Sequence, residues 1–176
     1  MLDVVVVAVV ASGFVLLGVS AARHARWRDA FAAQLRAQAL WHDDAVPVLS
    51  WAVLVAEAVV GGGGVLVLSF GAGAFALGPF LMAMALLGAG FVGLQAFLLV
   101  RRPDAPCGCD PGHDAKVGVG TLLKAAWPAL AGVLGLVALP AQGLDALTIG
   151  AALVAVVGGL ALAALLDRAP ALFDAG

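Results

Sequence analysis

Charge is what this sequence has least of. Only 11% of its 176 residues are charged, where an ordinary globular chain carries about 25%, and nine basic against eleven acidic residues leave a net charge of −2. There is no basic tract, which excludes an electrostatic nucleic-acid binder. So little charge among 64% hydrophobic residues also excludes a disordered chain. Two cysteines are too few for a disulfide framework, yet enough for one bond or one reactive pair. The run Gly61-Gly62-Gly63-Gly64 has no strand before it and no Lys-Ser or Lys-Thr after it, so it is not a phosphate-binding loop. Ser12, Ser20, Ser50 and Ser69 have no evident histidine partner, and nothing points to hydrolase chemistry.

What remains is apolar, with a mean hydropathy of +1.11, and it is expected to lie in a lipid bilayer. A spanning helix needs about 20 apolar residues, because the hydrocarbon core is about 30 Å thick and a helix rises about 1.5 Å per residue. Five segments qualify: 4–22, 45–70, 79–100, 117–139 and 146–166. The expected fold is all-α, a polytopic helical bundle formed by residues 1–176 as a single transmembrane domain. The first segment carries Asp3 and no basic residue ahead of its apolar stretch, which argues for a retained span rather than a signal peptide. Lys124, near the start of the fourth, is expected to snorkel to the headgroups. No internal repeat is visible, so a repeat-built transporter is not supported.

Residues 25–40 differ from the spans. Trp27, Phe31 and Leu35 recur every four residues, with Arg28 and Arg36 off that stripe. The pattern predicts a helix lying in the interface with its aromatic face among the headgroups, or else a solvated helical linker. With five spans all nine basic residues fall on one side, which the positive-inside rule makes the cytoplasm; the N-terminus is then outside and the C-terminus inside. Trp27, Trp41, Trp51 and Trp127 fall at or near the same face, as an aromatic belt would.

Both cysteines lie in the loop after the third segment, in Pro106-Cys107-Gly108-Cys109-Asp110-Pro111-Gly112-His113. With Gly108 between them the sulfurs can meet across a tight turn, and a bond closing so small a ring is strained and readily reduced. As a staple it would remove little chain entropy. Three readings stay open: a redox pair at Cys107 and Cys109, a metal site using Cys107, Cys109 and His113, and neither. Thiolate and imidazole suit zinc or Cu(I), but no second ligand pair is present. Arg101, Arg102, Lys116 and His113 would favour a thiolate, while Asp104, Asp110 and Asp114 oppose it.

Glu57 is the only acidic residue deep in a span, near mid-membrane by its position in the second segment, where an ionisable group is costly and marks a functional or paired site. Gly61 and Gly64 share its face and leave room for a neighbouring helix or a flat ligand. In the third segment Met84, Gly88, Phe91 and Gln95 share a face, and Gln95 is a candidate partner for Glu57.

Taken together, Phe31 and Pro47 after the first span, Glu57 in the second, an uncharged third span ending in Arg101-Arg102, and the Pro-Cys-Gly-Cys loop followed by further spans resemble the MauE family of methylamine-utilisation membrane proteins. The resemblance covers most of the chain. It departs from the family where Asp110-Pro111-Gly112 replaces the usual Phe-Gly after the cysteines, and where Leu123-Lys124-Ala125 stands in place of an Arg-Asn pair. It implies a bacterial inner-membrane, multi-pass protein with a four-helix core of the DoxX- or VKOR-like kind plus a fifth span. It also implies thiol-disulfide exchange at Cys107 and Cys109, with Gly108, Glu57, Gln95 and His113 in support. The implied partners are a thioredoxin-like protein and a disulfide-containing client, in the family the small subunit of methylamine dehydrogenase. The alternative is a non-enzymatic membrane subunit or a metal-handling protein using the same loop. No cofactor is required by the sequence, but one cysteine pair cannot cross a membrane, so a relay would need a quinone or a second protein. A loop at the cytoplasmic face, where thiols are kept reduced, stands in tension with a disulfide-forming role outside.

Overall fold

A backbone in hydrocarbon must satisfy its own N–H and C=O groups, so apolar runs of this length have to be helical. The computed structural model describes residues 2–70, 74–108 and 116–138, together with Val157, Gly158, Ala161, Ala164 and Leu165. Five helices are present among the described residues: α1 (Leu2–Arg26), α2 (Arg28–Ala37), α3 (Val46–Ser69), α4 (Ala74–Arg101) and α5 (Val119–Ala138). The regular structure among the described residues is all helical, and α1, α3, α4 and α5 are long and apolar enough to span a membrane. Even Gly61 to Gly64 continue α3 without a break. The expected fifth span lies outside the described residues except for the five isolated positions after 156, which are helical.

Consecutive spans are antiparallel and packed through small residues. A Cβ on Gly61 would come within 2.5 Å of the Gly18 nitrogen and 2.8 Å of the Phe14 oxygen, and one on Gly64 would strike the Phe14 ring. The glycine face of α3 therefore receives a helix, α1, which is the first of the two occupants its spacing left open. Between α4 and α5, a Cβ on Gly88 would meet the Ala129 backbone, and one on Gly132 would lie 2.7 Å from the Ala85 nitrogen. The core at this level is Val7, Val10, Phe14, Leu77, Leu81, Met84 and Ala131.

Three expectations change. Phe31 and Leu35 of α2 are buried and pack on Val46 at the start of α3, so the apolar stripe covers the bundle end rather than entering the headgroups. Trp127 is not part of a belt: its indole N–H donates to Ser12 Oγ at 2.8 Å, tying α5 to α1. Trp27, Trp41 and Trp51 do stay exposed at the α2 end, with the Arg28 guanidinium 4.6 Å above Trp51. Lys124 does not snorkel outward; it is buried inside the bundle.

The α4–α5 connection is pinched at its base. Val117 N–H donates to Ala105 O at 3.2 Å, and Pro106 and Lys116 form an antiparallel bridge. Ala105, Cys107 and Val117 pack on Leu98 beneath. An exposed Lys116–Asp104 pair at 3.0 Å lies over this neck.

Candidate functional site

Each of the four described spans contributes a buried polar side chain to the same end of the bundle. His24 of α1, Glu57 of α3, Gln95 of α4, Lys124 of α5 and Gln38, which follows α2, are each at most 8% exposed. Groups this polar are not left in an apolar interior without partners or purpose. Glu57 stands 11 residues beyond Val46, yet it pairs with His24 in the last turn of α1, because α3 begins alongside α2. The site therefore gathers where α1 and α4 end and α5 begins, at the basic end of the bundle, while Glu57 itself lies midway along α3, as its place in the segment suggested.

The hydrogen bonds fix the roles of these groups. Ser20 Oγ donates to Glu57 Oε1 at 2.9 Å, and His24 Nδ1 lies 2.6 Å from Glu57 Oε2. His24 Nε2 lies 3.1 Å from the Gly108 carbonyl oxygen, which can only accept, so Nε2 carries hydrogen. The short Nδ1–Oε2 contact then holds one further proton, belonging either to an imidazolium facing a carboxylate or to a carboxylic acid facing an imidazole. Both arrangements have the same total charge and differ only in which side of the contact carries the proton. The His24 ring stacks on Phe31 with centroids 3.9 Å apart, which restricts its rotation.

Three successive carbonyls of the cysteine loop are captured by side chains. Gln38 Nε2 donates to Pro106 O at 3.3 Å and to Cys107 O at 3.4 Å, Gln95 Nε2 donates to Cys107 O at 2.8 Å, and His24 donates to Gly108 O. Gln95 Nε2 also lies 3.3 Å from Cys107 Sγ, within donor distance of the sulfur. Arg102 donates to Gln38 O at 2.7 Å and joins the end of α4 to the segment after α2. Gly108 adopts φ +72°, and a Cβ there would come within 3.1 Å of Gln38 Nε2, so conformation and space both call for glycine. Cys107 and Gly108 are buried by this arrangement. Beneath them is a cavity of about 120 Å³ whose walls are mainly apolar, including Leu17, Leu35, Val53, Phe91 and Pro128, and which His24, Glu57 and Lys124 also line.

Of the residues singled out from sequence, Cys107, Gly108, Glu57 and Gln95 converge here. The expected pairing of Glu57 with Gln95 takes another form: Glu57 is engaged by Ser20 and His24, while Gln95 turns its amide nitrogen to Cys107. Cys109 and His113 lie outside the described residues, and with them the metal set of Cys107, Cys109 and His113. Sequence reasoning missed His24, Ser20, Gln38 and Lys124 as site residues. Ser20 and His24 are one helical turn apart, on the face that also carries Leu17, and a polar pair on an otherwise apolar face was the available signal.

The sequence model of "Methylamine utilisation protein MauE" matches residues 1–138, which take in all four described spans and the cysteine loop. The chain belongs to the MauE family. It is thus a multi-pass membrane protein of a family named for methylamine utilisation, with residues 139–176 beyond the match. No curated protein and no solved structure matches the chain.

Proposed function

We propose that this MauE family member carries out thiol-disulfide exchange through Cys107 and Cys109 in the maturation of a disulfide-containing partner. The observation that carries this reading is the placement of Cys107: its sulfur is buried, receives an amide N–H from Gln95, and sits in a loop clamped by side chains from three parts of the bundle. An N–H directed at sulfur favours the form bearing negative charge, which is the form that attacks and leaves in an exchange. The His24–Glu57 pair supplies a nearby acceptor and donor for the accompanying proton. A thioredoxin-like protein is the proposed exchange partner and the methylamine dehydrogenase small subunit the proposed client, in keeping with the family's name.

The membrane is proposed to be the bacterial inner membrane, with the loop end at the cytoplasm and the N-terminus outside. Arg23, Arg26, Arg28, Arg36, Arg101 and Lys116 all lie at the loop end, and this holds whether or not residues 146–166 add a span. The fifth span decides only where the C-terminus lies.

Two measurements test the reading. Cys107→Ser and Cys109→Ser variants are expressed singly, and one of them is expected to trap a thioredoxin-like protein as a mixed disulfide; failure of both, together with bound zinc or copper lost on substitution, would replace exchange by metal handling. Labelling with a membrane-impermeant maleimide is expected only after permeabilisation. Labelling of intact cells after treatment with an impermeant reductant would instead place an oxidised pair outside.

A further inference from the structure

Disulfide exchange with another protein needs one sulfur that the other protein's sulfur can approach in line with the bond that breaks. Cys107 does not offer one. The residue is 3% exposed, it packs with Leu98, Ala105 and Val117, and Gln95 Nε2 lies 3.3 Å from its sulfur. The backbone on either side is held down as well, because Gln38, Gln95 and His24 bind the carbonyls of Pro106, Cys107 and Gly108. That clamp ends at Gly108. Residues 109–115 connect this buried glycine to Lys116, whose side chain is 68% exposed. Cys109 is the first residue past the clamped carbonyls.

A second observation concerns the leaving group and not access. Attack on one sulfur of a Cys107–Cys109 disulfide expels the other, and the better stabilised thiolate leaves faster. The Gln95 amide N–H is directed at Cys107 Sγ, so a thiolate formed there meets a donor already in place. Expulsion of Cys107 requires that the attack fall on Cys109.

We infer that Cys109 is the sulfur that bonds to the partner protein, and that Cys107 is the resolving thiol, which meets only the sulfur of Cys109. The inference rests on the exchange reading and adds to it the order of attack. In the oxidising direction the partner's thiolate attacks Cys109 Sγ, the Cys107–Cys109 bond breaks, and Cys107 leaves as the thiolate facing Gln95. The partner's second thiolate then attacks its own sulfur in the mixed disulfide, which forms the partner's disulfide and releases Cys109. Two electrons and two protons pass from the partner dithiol to the cysteine pair. In the reducing direction Cys109 attacks the partner's disulfide, and Cys107 then attacks Cys109 and frees the partner as a dithiol. Both directions balance with the partner dithiol or disulfide as the one co-reactant.

The test uses the full chain in lipid nanodiscs, as reduced Cys107→Ser and Cys109→Ser variants with one thiol each. The probe is a thioredoxin-fold protein whose single cysteine is carried as a mixed disulfide with thionitrobenzoate, so that attack releases the coloured thiolate and leaves a covalent adduct. Cys107→Ser is expected to form this adduct at least about tenfold faster than Cys109→Ser, because a thiol buried in a hydrogen-bonded loop reacts only when the loop opens. Both variants are expected to take up a small maleimide equally in SDS. Equal adduct rates, or a faster Cys109→Ser variant, would overturn the order of attack and leave exchange standing. No adduct from either variant, with both thiols labelled in SDS, would overturn the exchange reading and the order with it. The unsubstituted, oxidised chain gives a second measurement that depends on no substitution in the loop. The reduced probe is expected to be joined to Cys109 when the adduct is acid-quenched and mapped by peptide mass spectrometry, and a bond to Cys107 would overturn the order.

Discussion

The two ends of the bundle solve opposite problems with the same helices. Toward the far end, Gly61, Gly64, Gly132 and Gly135 bring backbones and rings together until nothing more fits, around Val10, Phe14, Leu81 and Met84. Toward the loop end, the spans carry His24, Glu57, Gln95 and Lys124 around a void. The small-residue end holds the helices by van der Waals contact, the main attraction available where lipid is as apolar as the side chains. That frees the other end from having to pack tightly, and there a loop is held by hydrogen bonds instead. The difference teaches that fold and chemistry are separable along the helix axes.

The strongest way to break the comparison is at Gly61. Gly61→Leu drives a side chain into the backbone of α1, and the expected result is loss of folded, detergent-extractable protein, at a cost above about 4 kcal/mol. Gly62, next to it, has no atom within reach of a Cβ, so Gly62→Leu is expected to leave the extracted yield and the melting temperature unchanged. Equal damage at both positions would mean that the glycine run matters as a whole and not for the face it presents to α1.

At the loop end, Glu57→Ala leaves His24 Nδ1 without its partner and the Ser20 hydroxyl without its acceptor, and is expected to cost about 1–3 kcal/mol. It should also speed alkylation of Cys107, as His24 loses its hold on Gly108 O. Glu57→Gln can still accept from Ser20 and donate to Nδ1, so it should keep the melting temperature while slowing any step that passes a proton through the pair. A variant equally stable and equally active would remove the pair from any proton transfer in the proposed exchange. Gln95→Leu takes a donor from Cys107 O and Sγ, with an expected cost of about 1 kcal/mol. Trp127→Phe removes one interhelical bond, worth roughly 0.6 kcal/mol in a membrane bundle. Lys116→Ala is expected to be silent in a melting experiment, since its pair with Asp104 is exposed to solvent.

Much of the architecture was legible because the bilayer imposes a length rule that apolar runs cannot evade. The spans 4–22, 45–70, 79–100 and 117–139 became α1, α3, α4 and α5 with ends shifted by a few residues. Gly61 and Gly64 were legible as a contact face for the same kind of reason, a fixed helical period. The site was half legible. Glu57, Gln95, Cys107 and Gly108 stood out as residues unusual for where they are. His24 did not, because Arg23-His24-Ala25-Arg26 reads as a solvated basic run and only the offset between α1 and α3 puts it opposite Glu57. Gln38 and Lys124 were hidden likewise. One looked like linker and the other like a snorkelling anchor, and only tertiary packing decides which way such side chains turn. The α2 stripe was read with the right period but the wrong neighbour: periodicity finds an apolar face without naming what covers it.

The neck at Ala105, Pro106, Lys116 and Val117 has a consequence for how such a protein can change over time. The last residues before the cysteines and the first before α5 are fastened side by side, so the spacing between α4 and α5 is set below the loop and not by its contents. Insertions, deletions and substitutions between Gly108 and Lys116 can alter what the loop meets without asking the helices to move. The stretch that distinguishes this chain from its family's usual motif, Asp110-Pro111-Gly112, falls in that interval. A loop so anchored is an exchangeable cassette, free to vary beyond Gly108 while the bundle beneath it is inherited intact.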